Sequence, residues 1–318
     1  MLRRLLSSLP AFLLLIVFHT PAAAQKGEPV QLPNGFSILS YKESVAGILL
    51  NYVEAGKGPP LVFLHGWGGS WKDWADNLPA FAATHRVLAV DFPAFGDSEQ
   101  LEGEYSIERL TDVVEKFLDR KGLDDVQVVG HSLGGLIALN LAARPNSKVK
   151  KLVVSDAVGI GDKAEFLSYA ITRKIIGPES RWESWEGVLQ DELRSIIGSF
   201  FKDKNPSGAR EFFESVPKVP FTGRPLLPMT PSVQLTASII DFDIRPKLAS
   251  IRQPTLVLWG AKDRLVSPQD ASLLHKALPN SRLVIFPNSG HSPMTEEPLP
   301  FNEEVARFLQ APEPGAAK

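Results

Sequence analysis

The stretch Val126–Ala143, VQVVGHSLGGLIALNLAA, constrains this chain more than any other. A run of β-formers stops at Gly130, Ser132 follows among glycines, and an apolar helical run starts at Leu133. The continuous apolar run LVFLHG (61–66) marks a strand buried on both faces, and the run of β-formers before Gly130 marks another strand. A helix that begins at once calls for a parallel sheet covered by helices. Between the two, Gly130-His131-Ser132-Leu133-Gly134 fits a G-x-S-x-G turn. So sharp a reversal strains the serine backbone, and glycines clear the space around it. The hydroxyl then stands above the C-terminal edge of the sheet, at a helix N-terminus whose free N–H groups can hold a developing oxyanion.

The same rhythm runs along much of the chain. FSILSY and ILLNYVEAG predict a hairpin-type start. LVFLHG (61–66), RVLAVD (86–91), VQVVG (126–130), KKLVVSD (150–156), PTLVLWG (254–260) and SRLVIFP (281–287) predict buried strands. Helices are expected around Trp71 and Trp74 and near 106–121, 133–143, 269–278 and 299–310. The fold class is therefore α/β: a mostly parallel central sheet with helices on both faces. Residues 25–157 form the first part of this core and 246–310 the second. Between them, 158–245 carries helical patches broken by prolines and no buried strand, and is expected to be an inserted helical lid. Residues 311–318 form a frayed tail.

Residues 1–24 are expected to be a secretory signal peptide: Arg3 and Arg4, the apolar run AFLLLIVF, then Ala22-Ala23-Ala24 as a cleavage site. The run is short for a membrane span, so no stable span is expected after cleavage, and the protein would be periplasmic or secreted. The chain has no cysteine, so an exported form would rely on its core and not on disulfides. A net charge of −2 without a basic block gives no reason to expect nucleic acid. Neither an HExxH pattern nor a cysteine–histidine cluster occurs, so no metal or other cofactor is expected.

A serine hydroxyl needs a base to become a nucleophile. Of six histidines, His19 leaves with the leader and His131, next to the serine, should point elsewhere. His85 and His275 read as packing or surface residues, and His65 lies in an HG loop. His291, in NSGHSP just past a strand, is the candidate base, because sites in open α/β sheets form beyond the carboxyl ends of strands. The base needs an acid to hold its tautomer. Asp263, in WGAKDRLVS, completes the chain order Ser, Asp, His, with Asp156 as its rival; Asp91, Asp97 and Asp241 are expected to hold loops. The oxyanion donors would be the backbone N–H groups of Leu133 and of Trp67 in HGWGG.

LVFLHGWGG, DFPAFGDSE, GHSLGG, WGAKDRLVS and NSGHSPMTEEP, in that order, resemble the motifs of the α/β-hydrolase superfamily over about residues 36–310. The similar branch carries a lid and includes small esterases, C–C bond hydrolases, haloperoxidases, epoxide hydrolases and haloalkane dehalogenases. The last two use aspartate as nucleophile, whereas here Ser132 implies an acyl-serine. Ala94-Phe95 departs from the pattern, where glycine is usual at the first position. The resemblance implies a metal-free hydrolase acting on an ester or thioester of a small, largely apolar molecule. Hydrolysis of a C–C bond in a ring-fission diketone and a small-molecule receptor with slow turnover remain open. The sequence carries no signal of oligomeric state.

Overall fold

The computed structural model describes residues 27–161 and 231–312. The expected signal peptide, most of the expected lid and nearly all of the tail lie outside the described residues.

The chain opens with strands β1 (Glu28–Gln31), β2 (Ser37–Val45) and β3 (Ile48–Ala55). β4 (Pro60–Leu64) follows, then a 3-10 turn at Trp71–Trp74 capped by Ser70, and helix α1 (Leu78–Ala82). Next come β5 (Arg86–Val90), α2 (Ile107–Arg120), β6 (Val126–His131), α3 (Leu133–Ala142) and β7 (Val149–Ser155). Past residue 230 lie α4 (Pro231–Asp241) and α5 (Arg245–Leu248). The chain ends with β8 (Thr255–Gly260), α6 (Pro268–Ala277), β9 (Ser281–Phe286), α7 (Pro293–Glu296) and α8 (Pro298–Gln310).

The nine strands form one sheet in the order β1-β2-β3-β5-β4-β6-β7-β8-β9. β1, β2 and β3 are antiparallel, and β3 also runs antiparallel to β5. From β5 to β9 every pairing is parallel. The parallel part has β4 beside β6, so the chain crosses over at that point, where ligands bind in open sheets.

Alternation along the strands fills two cores. Val62, Leu64, Val128, Val154, Val257 and Trp259 face α2, α3 and α6; Leu61, Phe63, Val129, Val153, Leu256 and Leu258 face α1 and α8. Helix α2 buries Ile107, Leu110, Thr111, Val114 and Leu118 at helical spacing, and all ten residues of α3 are buried. A helix apolar all round belongs inside a core. Its approach depends on Gly134, where a Cβ would overlap the Leu64 and His65 carbonyls.

α4 lies in the expected lid segment and is helical, and it is joined to α2. Tyr105 N–H donates to Gln234 Oε1 at 2.7 Å, and Ile107 N–H donates to Ser238 Oγ at 2.9 Å. With Ser106 Oγ accepting from Arg109 N–H, the Ile107 bond satisfies donors at the start of α2 that the helix itself leaves open, and the Tyr105 bond ties down the residue before the cap. Among the described residues no helix is long and apolar enough to cross a membrane.

Candidate active site

The serine turn has the strain that the glycines anticipate. Ser132 sits at φ 53° and ψ −114°. Its N–H donates to Ser155 O at 2.9 Å, and its carbonyl accepts from Leu136 N–H at 3.1 Å. The residue is almost fully buried and sits directly before α3. Leu133, the first residue of α3, presents one of the N–H groups that a helix start leaves open.

The loop after β4 closes on the serine. A Cβ on Gly66 would come within 2.9 Å of His131 Nδ1 and 3.3 Å of Ser132 Cβ, so only glycine lets this loop approach. Trp67, the next residue, stacks edge-on against Phe95 at 6.4 Å. His65 pins the loop. Phe92 N–H donates to its Nε2 at 2.9 Å, so its Nδ1 carries the proton, facing Gly66 O at 2.6 Å. Burial pushes its pKa down to about 4, keeping the ring neutral. Asp91 ties the neighbouring loop together as expected, accepting from Trp71 N–H, Asn51 Nδ2 and Asp97 N–H at 2.6–2.9 Å.

Asp263 and His291 meet across the ends of β8 and β9. His291 Nδ1 and Asp263 Oδ2 are 2.8 Å apart. The Asp263 side chain is fully buried, whereas that of His291 is 20% exposed. Asp263 Oδ1 accepts from Leu265 N–H at 2.7 Å and Val266 N–H at 3.0 Å. These bonds fix the carboxylate and leave the imidazole as the solvent-facing member. Among the described residues no hydrogen bond joins Ser132 Oγ to His291; such bonds often form fully only around substrate.

Two further residues hold His291. Glu296 accepts from Gly290 N–H at 2.7 Å and from Ser292 N–H at 3.0 Å, gripping the backbone on both sides of the histidine. His131 does not point away from the site as its place beside the serine suggested. It donates from Nε2 to the His291 carbonyl at 2.7 Å, and the two rings lie 4.8 Å apart. Burial, then the neighbouring His291, push its pKa down to about 3. Nothing local in the sequence reveals this contact, because the partner lies 160 residues away.

Asp156, the sequence rival to Asp263, also lies here. One atom each of Asp156, Asp263 and His291 fall within 4.8 Å of one another. Such donors could in principle surround a cation. However, Ser155 Oγ donates to Asp156 Oδ2 at 2.6 Å, Gly260 N–H to its Oδ1 at 2.8 Å, and Asp263 is committed to His291. The cluster reads as a hydrogen-bonded acid–base set.

Comparison with known proteins agrees with this architecture. A family model for the alpha/beta hydrolase fold matches residues 59–298. A 2-hydroxy-6-oxononadienedioate/2-hydroxy-6-oxononatrienedioate hydrolase of Pseudomonas putida is 31% identical, covering 85% of this chain and 94% of that protein. A pimeloyl-(acyl-carrier protein) methyl ester esterase of Aeromonas hydrophila is 28% identical, covering 80% and 96%. Among solved structures, the enol-lactonase of Burkholderia xenovorans LB400 shares the fold, with a TM-score of 0.61 and 23% identity over 85% of this chain and all of that one.

Proposed function

The chain belongs to the α/β-hydrolase-fold family, and on that premise we propose that it is a serine hydrolase cleaving a carboxylic ester or thioester of a small, largely apolar substrate. The observation that carries this reading is the 2.8 Å pairing of His291 Nδ1 with the buried Asp263, at the same sheet edge as the strained Ser132. The esterase among its relatives supports the substrate class. The leader-like residues 1–24 support export as the setting.

In this mechanism Asp263 holds the proton of His291 on Nδ1 and leaves Nε2 free to accept. Nε2 takes the hydroxyl proton of Ser132 as Oγ attacks the carbonyl carbon. The carbonyl oxygen gains charge and is held by the N–H groups of Trp67 and Leu133; a single such donor is worth about 2.7–4 kcal/mol in the transition state. The imidazolium then gives its proton to the leaving alkoxide or thiolate. A water, deprotonated by His291 in turn, releases the acid from the serine.

The Pseudomonas putida relative favours a second reading, C–C bond hydrolysis of a ring-fission diketone by the same three residues. His131 stands before the serine where those enzymes usually carry another residue, which ranks this reading lower.

The test is fluorophosphonate labelling of the purified protein, with p-nitrophenyl esters of graded chain length and a dienone assayed in parallel. Wild type should label and turn over esters. Ser132→Ala should do neither, and His291→Ala should lose at least about 10³-fold in rate. No labelling of folded wild type, or labelling that survives Ser132→Ala, would sink the proposal. Turnover of the dienone in preference to every ester would establish the second reading.

A further inference from the structure

Asp156 is a buried ionisable group that the mechanism above does not use. It follows β7, in the loop beside the one that carries Asp263. Its backbone is held in the left-handed region at φ 49°, and its N–H donates to Leu258 O at 3.1 Å. Its side chain ties β7 to β8 through the Gly260 N–H bond to Oδ1. It has no exposure to solvent, and neither has the Asp263 side chain. Two carboxyls whose oxygens lie within 4.8 Å of each other inside a protein disfavour a double charge, which favours one of them keeping its proton.

Counting donors places that proton. Asp263 receives Leu265 N–H, Val266 N–H and His291 Nδ1–H. Asp156 receives one backbone N–H and the Ser155 hydroxyl, a group that can equally well accept. The better-solvated carboxyl keeps the charge. We propose that Asp156 is a positioning residue that keeps its proton and donates a hydrogen bond to the Asp263 carboxylate, so that the single charge of the pair faces His291. Burial and, after it, the charge on Asp263 both hold the Asp156 carboxyl above its ordinary range, in agreement with the donor count. The titratable groups facing it are Asp263 and His291, with His131 behind the latter. The role concerns the acid–base pair and so rests on the hydrolase reading; the location of the proton does not.

The experiment has two arms. Infrared spectroscopy of wild type at pH 8 should show the carbonyl stretch of a buried protonated carboxylic acid, and Asp156→Asn should lose it. Absence of that band in folded wild type overturns the proposal whether or not the protein turns over any substrate. The second arm compares kcat and its pH profile. Asp156→Asn keeps an N–H donor toward Asp263, so kcat should stay within about threefold of wild type, less than 1 kcal/mol, with the acid limb unmoved. Asp156→Ala loses the donor and lets the carboxylate shift. It should lower kcat by about 10–100-fold at nearly constant KM and move the acid limb. If Asn is as damaging as Ala, the group acts as an ionised carboxylate; if Ala leaves kcat and profile intact, it positions nothing. Either result overturns the proposal. Failure of wild type to label or turn over would instead count against the hydrolase reading, leaving the infrared arm to decide the proton.

Discussion

Ala94 holds a backbone conformation that its side chain opposes. Its φ is 69°, in the region where a non-glycine residue costs about 1–2 kcal/mol. The resemblance to other hydrolases has glycine here, so the departure seen in the sequence is a strained alanine in an otherwise ordered loop. Ala94 N–H still donates to Glu99 O at 3.2 Å, and Phe95 is tucked against His65 and Trp67. The strain is expected to cost stability. Ala94→Gly should raise stability by about 0.5–1 kcal/mol, because relief of strain exceeds the entropy that glycine adds to the unfolded chain. Urea unfolding at neutral pH checks this, and an unchanged or lower midpoint would mean the alanine is not strained. Ser132, at φ 53°, is different, because in the proposed mechanism its conformation is what presents the hydroxyl.

Lys151 shows what one side chain does for an element. It stands on β7, almost fully buried, and its ammonium donates to the carbonyls of Phe308, Leu309 and Ala311 at 3.3, 2.7 and 2.7 Å. These carbonyls lie at and just past the end of α8, where the helix leaves acceptors open and its dipole favours a cation, although Phe308 O also accepts from Ala311 N–H. Lys151→Met keeps the stem and deletes the donor. It should destabilise by about 2–4 kcal/mol, and hydrogen exchange should rise first in α8; a change under about 0.5 kcal/mol would show the cap to be dispensable. The chain position of Lys151, in KKLVVSD, is legible as a strand, but its job is not, because the helix end it caps lies 157–160 residues away. The same division runs through the molecule. Strands such as LVFL and TLVLW announce themselves, since burial on both faces demands unbroken apolar runs. α2 is legible from its apolar stripe and from Ser106 at its start. β1, with the sequence EPVQ on an exposed edge, has no such pattern and was not expected. Ser132, Asp263 and His291 stand out because each follows a readable strand. The grip of His131 on His291 depends on which loops the sheet order makes neighbours, whereas Glu296 acts locally, on Gly290 and Ser292 of the adjoining loop.

At the scale of the whole molecule, two neutral histidines beside the site set the response to acid. His65 and His131 are fully buried, with pKa values pushed down to about 4 and about 3. In the unfolded chain both would titrate near 6.5. Below that pH the unfolded state binds more protons than the folded one, so stability falls as pH falls, down to the folded values. Each group contributes a slope of about 1.4 kcal/mol per pH unit inside its window. Asp156 works the other way. Its raised pKa means that the folded state holds the extra proton, so its stabilising contribution is complete below pH 3.8 and is lost as pH rises toward its folded value. Asp73 and Asp91, also raised by burial, oppose the histidines in the same sense. A bare pH–stability curve therefore mixes signs, and a difference between variants separates them. His85 is also lowered by burial, in the same sense; in His131→Asn the window of His131 alone is gone. Between pH 6.5 and 5 its stability should fall less steeply than that of wild type, by about 1.4 kcal/mol per pH unit at the acid end. Urea unfolding of both proteins at half-unit steps measures that difference directly. Parallel curves would mean that His131 titrates alike in both states, and that the ring is not held neutral against the His291 carbonyl.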